Sequence, residues 1–271
     1  MKIQGRCAVV TGAGNGIGQA VAVELAERGA GAVALVDRND SVIRIARMIN
    51  DRLDEPVAEA MIGDTTDEGF RREVFDHMCA KHGAPRICVP AAAVNHDQFA
   101  VKVDRSTGKS VLYPVDRFRH LIEVNLVAPT YWAMEMVARI AEERHAQGLG
   151  RWEPREGTQG TAIFIGSISS QGIPGQVAYG SAKSALEGAA RTLSKEAMYF
   201  GVRCAVIHPG FTDTQMVRAL GEDYIRSNIL PYTQLKRLIE PEEIADAIYF
   251  MICNSAVSGE LWADAGWHPR A

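Results

Sequence analysis

Short, nearly uninterrupted apolar runs alternate along this chain with longer stretches whose apolar residues recur at helical spacing. The runs "RCAVVTG", "GAVALVD", "PVAEAMIGD", "PRICVPAA", "TAIFIGS", "VRCAVIHPG" and "GELWADAG" predict strands. "IGQAVAVELAERG", residues 41–52, "TDEGFRREVFDHMCAKHG", and residues 115–143, 177–200 and 241–253 predict the intervening helices. Strands that are apolar throughout need cover on both faces, and a helix between successive strands permits parallel crossovers. The expectation is an α/β fold in a single domain over residues 1–271. Its core is a doubly wound parallel sheet of about seven strands with helices on both faces.

Three stretches break this rhythm. Residues 97–114, "DQFAVKVDRSTGKSVLYP", alternate on either side of "RSTGK", which predicts an inserted β-hairpin. Residues 144–160 are polar and glycine-rich, as a solvent loop would be. Residues 211–238 are partly helical and follow the sixth strand, where a long segment makes a candidate substrate lid. Its apolar set includes Met216, Leu220, Tyr224, Ile225, Ile229 and Leu230, which suits a hydrophobic substrate.

Composition narrows the function classes. With 271 residues, 47% of them hydrophobic, the chain can bury a full-sized core. A net charge of -4 gives no reason to expect nucleic-acid binding. No apolar run is long enough for a membrane span, and the start has no signal-peptide pattern. Five scattered cysteines read as small buried hydrophobes in a reducing, cytoplasmic setting. No metal is expected, because His77 and His82 share a helix without a third ligand in view. His208 reads as an interior histidine.

"TGAGNGIG" follows the first strand and opens the first helix. Gly12, Gly16 and Gly18 would let the backbone of Thr11, Asn15 and Ile17 approach a pyrophosphate at the helix N-terminus. Asp37 closes the second strand, where a carboxylate meets adenosine ribose hydroxyls and repels a 2′-phosphate. NAD is therefore expected over NADP, although Arg38 beside it could accommodate that phosphate. Asp64 ends the third strand, next to Thr65, and could meet the adenine edge or cap the next helix. Ser41 reads as the N-cap of the second helix. Ala91 and Ala92 are small enough for close passage of the cofactor.

"YGSAK" puts Tyr179 and Lys183 on one helical face. Tyrosine titrates near 10, too high for acid–base work at neutrality, and a neighbouring ammonium would lower that value. Together "TGAGNGIG", "VNL", "IGS", "YGSAK" and "PGFTDT" resemble the ordered motifs of the short-chain dehydrogenase/reductase family, over essentially the whole chain. The resemblance implies a Rossmann-like sheet and an Asn-Ser-Tyr-Lys tetrad at Asn125, Ser167, Tyr179 and Lys183. Tyr179 would exchange a proton with the substrate oxygen while hydride moves to or from nicotinamide, and Lys183 would bind the nicotinamide ribose. Ser167 would bond the reacting oxygen, with Ser169 the alternative, because the serine-to-tyrosine spacing is one residue short. Asn125 would hold a water leading to Lys183. Pro209, Gly210, Thr212 and Thr214 would border the nicotinamide, and Thr214 could also cap a helix.

Members acting on 3-hydroxyacyl-CoA and hydroxysteroids are the most similar, which implies such a thioester or a cyclic or aromatic alcohol as substrate. Ser167, Tyr179, Met216, Leu220 and Tyr224 would line its site. The family's helix-paired interface implies a homo-oligomer, a dimer or, with a second contact from "ELWADAGWHPRA", a tetramer. The alternative is a dehydrogenase-like nucleotide-binding subunit with little catalysis. "CVPAAAV" is its motive: Pro90 and Ala93 stand where the family has asparagine and glycine.

Overall fold

The computed structural model describes residues 1–267. In chain order the first half carries β1 Cys7–Thr11, α1 Gly16–Glu27, β2 Ala32–Asp37, α2 Ser41–Leu53, β3 Ala58–Ile62, α3 Glu68–His82 and β4 Ile87–Pro90. The hairpin strands β5 Val101–Val103 and β6 Ser110–Leu112 come next, then α4 Val115–Ile122, α5 Ala128–Ala146 and β7 Gly160–Ile165. The chain continues through α6 Val177–Ala197, β8 Val202–Pro209, α7 Gln215–Arg218, α8 Glu222–Asn228, α9 Pro241–Cys253 and β9 Gly259–Ala263.

The main sheet has the order β3-β2-β1-β4-β7-β8-β9, and every pairing is parallel. Strand side chains alternate between its two faces. Val10 and Leu35 pack under α1, α2 and α9, with Leu25, Ile45 and Ile248. Val9 and Val36 point the other way, into Phe75, Trp132, Met136 and Phe164. The strand order reverses between β1 and β4. The chain leaves β1 for α1 on one face and β4 for α5 on the other, and open α/β sheets bind ligands in the crevice between such connections.

The long helix expected over 115–143 is interrupted. Between α4 and α5 the backbone makes a π turn, Glu123–Val127, which carries Asn125 into the interior. Such bulges recur at functional sites. The helix expected over 177–200 stops at Ala197 and finishes in a 3₁₀ turn, Met198–Phe200. The polar 144–160 segment is anchored at its start. Arg144 is buried and donates to Glu156 Oε2 at 2.6 Å. β5 and β6 pair antiparallel outside the main sheet. Residues 268–271, the end of the proposed second subunit contact, lie outside the described residues. Among the described residues, no helix is long and apolar enough to cross a membrane.

Candidate active site

The crevice begins at the turn after β1. Gly12 has φ 65°, and a Cβ there would lie 2.7 Å from the Ala92 backbone. A Cβ at Gly18 would lie 2.3 Å from the Gly12 carbonyl oxygen. The turn, the head of α1 and the end of β4 are therefore in backbone contact, which only glycine at these positions permits. Asn15 precedes α1 but makes no side-chain cap, and no acidic residue stands in the first helical turn. The leading N–H groups of α1 are thus available to an anion.

Asp37, Arg38, Asp64 and Thr65 wall the same cleft, with Asn15, Ala92 and Ala93. The Asp37 carboxylate accepts from Gly14 N and Asn39 N, both at 3.0 Å, so it is tied to the glycine turn. Ser41 is not an N-cap. It is the first residue of α2, and its hydroxyl donates to the Gly14 carbonyl at 2.9 Å. Asp64 accepts from the N–H and hydroxyl of Thr66, which holds its carboxyl below the usual range. Asp67 caps α3 by accepting from Phe70 N at 2.6 Å, which leaves Asp64 without that duty. The Thr65 carbonyl accepts from Trp132 Nε1 at 2.8 Å. Val94, His120 and Val124 also line the cleft. Val94 and Val124 lie within quoted motifs, but neither was read as lining the cleft, because only folding brings α4 and the π turn beside the end of β4. An uncapped helix end, a backbone-lined turn and a carboxylate at the far wall fit a dinucleotide.

Pro90 is accommodated by the sheet. Ala91 N bonds the Thr11 carbonyl, and Ala92 N bonds Thr11 Oγ1, both at 3.2 Å toward β1. Within β4 alternate amides point to opposite sides, so the nitrogen of Pro90, preceding Ala91, faces β7. The pairing to β7 runs only to Cys88, and Pro90 stands where the next donor would be. The proline thus ends the ladder on that side and leaves the pairing to β1 intact. Ala93 is not among the non-glycine residues with positive φ, so glycine's freedom is not required either.

Next to the cleft, Ser167, Tyr179 and Thr214 wall a second cavity with Ile17, Pro209, Gly210 and Thr212. Burial pushes the Tyr179 phenol up to about 12, against an opposing hydrogen bond to Ser167. Lys183 is buried and donates to the Ile165 carbonyl at 2.8 Å. Its Nζ lies 5.5 Å from the Tyr179 ring centroid. Sequence reasoning expected the lysine to lower the tyrosine pKa. In this structure burial is the largest influence on Tyr179 and raises it, and burial also lowers Lys183 to about 8.

Ser167 and Ser169 are separated by their partners. Ser167 Oγ bonds Tyr179 and Ser169 Oγ, and accepts from Ser169 N at 3.0 Å. Ser169 Oγ instead donates to Gln176 Oε1 at 2.6 Å. The side-chain amide of Asn125 clamps Val94, with Oδ1 accepting from Val94 N at 3.0 Å and Nδ2 donating to Val94 O at 2.8 Å. Thr214 caps α7 through Val217 N at 3.4 Å, and its methyl approaches Gly16. Thr212 donates to the Gly210 carbonyl.

Of the predicted substrate residues, Met216 and Leu220 reach the cavity and Tyr224 does not. Helix α8 buries Ile225, which packs with Ile229 and Leu238, and Tyr224 next to Ile225 points to solvent. Ile225 and Ile229 thus form the lid's own core. The cavity also gains Asn95, Asp97, Gln176, Phe211 and Val217, which sequence reasoning missed. Gln176 lies one helical turn before Tyr179, the one spacing signal that could have found it.

His77 and His82 share a carboxylate. Glu59 supplies the third group absent from the sequence argument, meeting Nε2 of His77 at 2.8 Å and of His82 at 2.5 Å. His208 is interior, as expected. It stacks on Trp262 at 4.1 Å and accepts from Ser167 N at 3.3 Å. Its Nε2 faces Glu260 and Glu187, whose charge Arg191 also meets.

Comparison with known proteins agrees with this geometry. The family model described as Enoyl-(Acyl carrier protein) reductase matches residues 12–268. The 3-oxoacyl-[acyl-carrier-protein] reductase FabG of Escherichia coli K12 is 29% identical over 263 residues, covering 96% of each chain. MabA of Mycobacterium avium, of the same activity, is 30% identical over 93% of this chain and 84% of its own. A Beutenbergia cavernae structure superposes with a TM-score of 0.79 at 28% identity, over 98% of both chains. That protein is provisionally assigned as an NAD(P)-dependent gluconate 5-dehydrogenase and holds NADP at low occupancy. The family match, the parallel sheet and the Ser-Tyr-Lys grouping agree, and this chain is an oxidoreductase of the short-chain dehydrogenase/reductase family, acting on CH–OH groups.

Proposed function

We propose that this protein interconverts a secondary alcohol and a ketone, using NAD(H), with Tyr179 as proton donor and acceptor. The observation that carries the reading is the convergence of Tyr179 and Ser167 on a cavity beside the dinucleotide cleft. A bound nicotinamide would supply or receive the hydride. With a pKa of about 12, the Tyr179 hydroxyl holds its proton at neutral pH, ready for a ketone oxygen. Ser167 orients that oxygen; its hydrogen bond to Tyr179, against that of Ser169 to Gln176, makes it the preferred assignment. Lys183 brings positive charge to the tyrosine face, and Asn125 positions the Val94 wall of the cleft. Thr11, Gly12, Gly16 and Gly18 cradle the pyrophosphate. Pro209, Gly210, Thr212 and Thr214 border the nicotinamide.

Cofactor choice rests on Asp37. The NADP in the Beutenbergia relative favours the phosphorylated form. Against it, Asp37 is anchored by two backbone amides and cannot swing away without losing both, whereas Arg38 is exposed. The fixed carboxylate supports NAD. Met216 and Leu220 support a substrate with an apolar body. Exposed Val115, Tyr131, Met134 and Val177 on α4, α5 and α6 support a helix-paired homo-oligomer.

The test is a turnover screen across secondary alcohols and ketones with NAD and NADP, on wild type and Tyr179→Phe. Tyr179→Phe should retain NADH binding and lose turnover by at least about 10²-fold. Substantial residual turnover would remove the tyrosine role, and a clear NADP preference would refute the Asp37 reasoning.

A further inference from the structure

The substrate cavity has two unlike walls. Phe211, Met216, Val217 and Leu220 from the lid form an apolar one. Asn95, Asp97 and Gln176 form the other, from the segment after β4 and the residue before α6. The polar wall is wired to the reacting groups. Ser167 Oγ donates to Ser169 Oγ at 3.0 Å, and Ser169 Oγ donates to Gln176 Oε1 at 2.6 Å. Gln176 Nε2 then donates to Asp97 Oδ2 at 3.0 Å.

This chain has a fixed polarity. A carboxylate only accepts, so Asp97 turns the amide nitrogen of Gln176 toward itself and the amide oxygen toward Ser169. Asp97 is exposed at the cavity and is the charged acceptor of this wall. Asn95 Oδ1, in the same wall, is buried with no hydrogen-bond partner among the described residues. Both residues thus line the cavity that Tyr179 and Ser167 also line. A buried acceptor left unpaired is costly, so a ligand that supplies a donor there is favoured.

We infer that the physiological substrate carries a second hydroxyl on the carbon next to the reacting carbinol, or one carbon beyond it. Asn95 and Asp97 would recognise it, and the apolar wall would hold a compact ring or branched body. The inference rests on the dehydrogenase reading above and narrows its substrate class. An acyl thioester presents only acceptors around its 3-position. It would set its thioester oxygen against Asn95 Oδ1 and the Asp97 charge, and the site disfavours it. A diol offers a donor to the Asp97 carboxylate and to Asn95 Oδ1, which has none.

The test compares kcat/KM with NAD for cis-cyclohexane-1,2-diol, cyclohexanol and 3-hydroxybutyryl-N-acetylcysteamine. Wild type should favour the diol over cyclohexanol by at least about tenfold. Asp97→Leu and Asn95→Leu should each reduce that ratio by about tenfold or more, with NADH affinity reporting intact folding. The ratio isolates recognition of the second hydroxyl, because a general loss of activity lowers both substrates alike. No preference for the diol, faster turnover of the thioester, or an unchanged ratio in both variants overturns the inference. Turnover of cyclohexanol with any of those results leaves the dehydrogenase reading standing. Failure to bind NADH or to oxidise any of the three substrates sinks both.

Discussion

Replacing the buried lysine should make this protein more stable and inactive at once. Lys183 is 3% exposed, and burial lowers its pKa from 10.5 to about 8. A depression of that size corresponds to roughly 3 kcal/mol of unfavourable free energy at pH 7, at about 1.4 kcal/mol per pKa unit. Lys183→Met removes the charge and keeps most of the stem. It also strips the Ile165 carbonyl of its donor, a loss of about 1 kcal/mol. The net gain is about 2 kcal/mol at pH 7, or roughly 4–8 °C in melting temperature for a chain of this size. The folded lysine releases its proton near pH 8, whereas the unfolded one keeps it to about pH 10.5. In that window the unfolded state binds more protons, so the wild-type contribution from Lys183 rises with pH. The advantage of the variant should therefore shrink above pH 8 and approach zero near pH 10. Tyr179, Cys7 and Cys204, all raised to about 12, act in the opposite direction. They are common to both proteins and largely cancel in the difference. Calorimetry at pH 7 and pH 10 reads it directly. A variant less stable than wild type at pH 7, or a difference that does not change with pH, would refute the burial reasoning.

Ser167→Ala should lower kcat by about 10²–10³-fold, whereas Ser169→Ala should cost less than about tenfold, read from steady-state kinetics on one substrate. The reverse order would move the oxygen-binding role to Ser169. Asn125→Ala strips both partners from the Val94 backbone and should destabilise by about 2–3 kcal/mol in urea titration, with Asn125→Asp intermediate because it keeps the acceptor. Pro90→Asn with Ala93→Gly should change stability by less than about 1 kcal/mol and leave NADH affinity within about threefold, since neither native residue is strained. A tenfold gain in affinity would show that the native pair weakens the cleft.

The sequence announced those parts of the site that depend on local chemistry. The glycine turn, Asp37 at a strand end, and Tyr179 one helical turn before Lys183 each carry their spacing within one element or one turn. What stayed hidden depends on contacts between distant segments. The π turn that drives Asn125 inward leaves no mark in an apolar pattern that reads as one continuous helix. Its partner, Val94, lies beyond β4. Asp97 looked like the start of an inserted hairpin, and Asn95 carried no signal. Asp97 meets Gln176 only in the fold, where the segment after β4 passes the residue before α6. Tyr224 failed for a related reason. The lid's apolar residues could be counted from the sequence, but which of them face each other across α8 could not.

The same contrast explains why an unusual "CVPAAAV" coexists with an ordinary catalytic grouping. β4 stays paired with β1 as far as Thr11 and Pro90, whereas its ladder to β7 stops at Cys88, where Pro90 has no N–H for the next bond. On the other side, β4 keeps its pairing to β1 through Ala91 and Ala92, the two amides that bond Thr11. Asn125 secures the next residue of the wall from the opposite direction, through both backbone groups of Val94. The wall of the cleft is held by Thr11 and Asn125, one from each flank, and a side-chain amide at position 90 is not required to hold it.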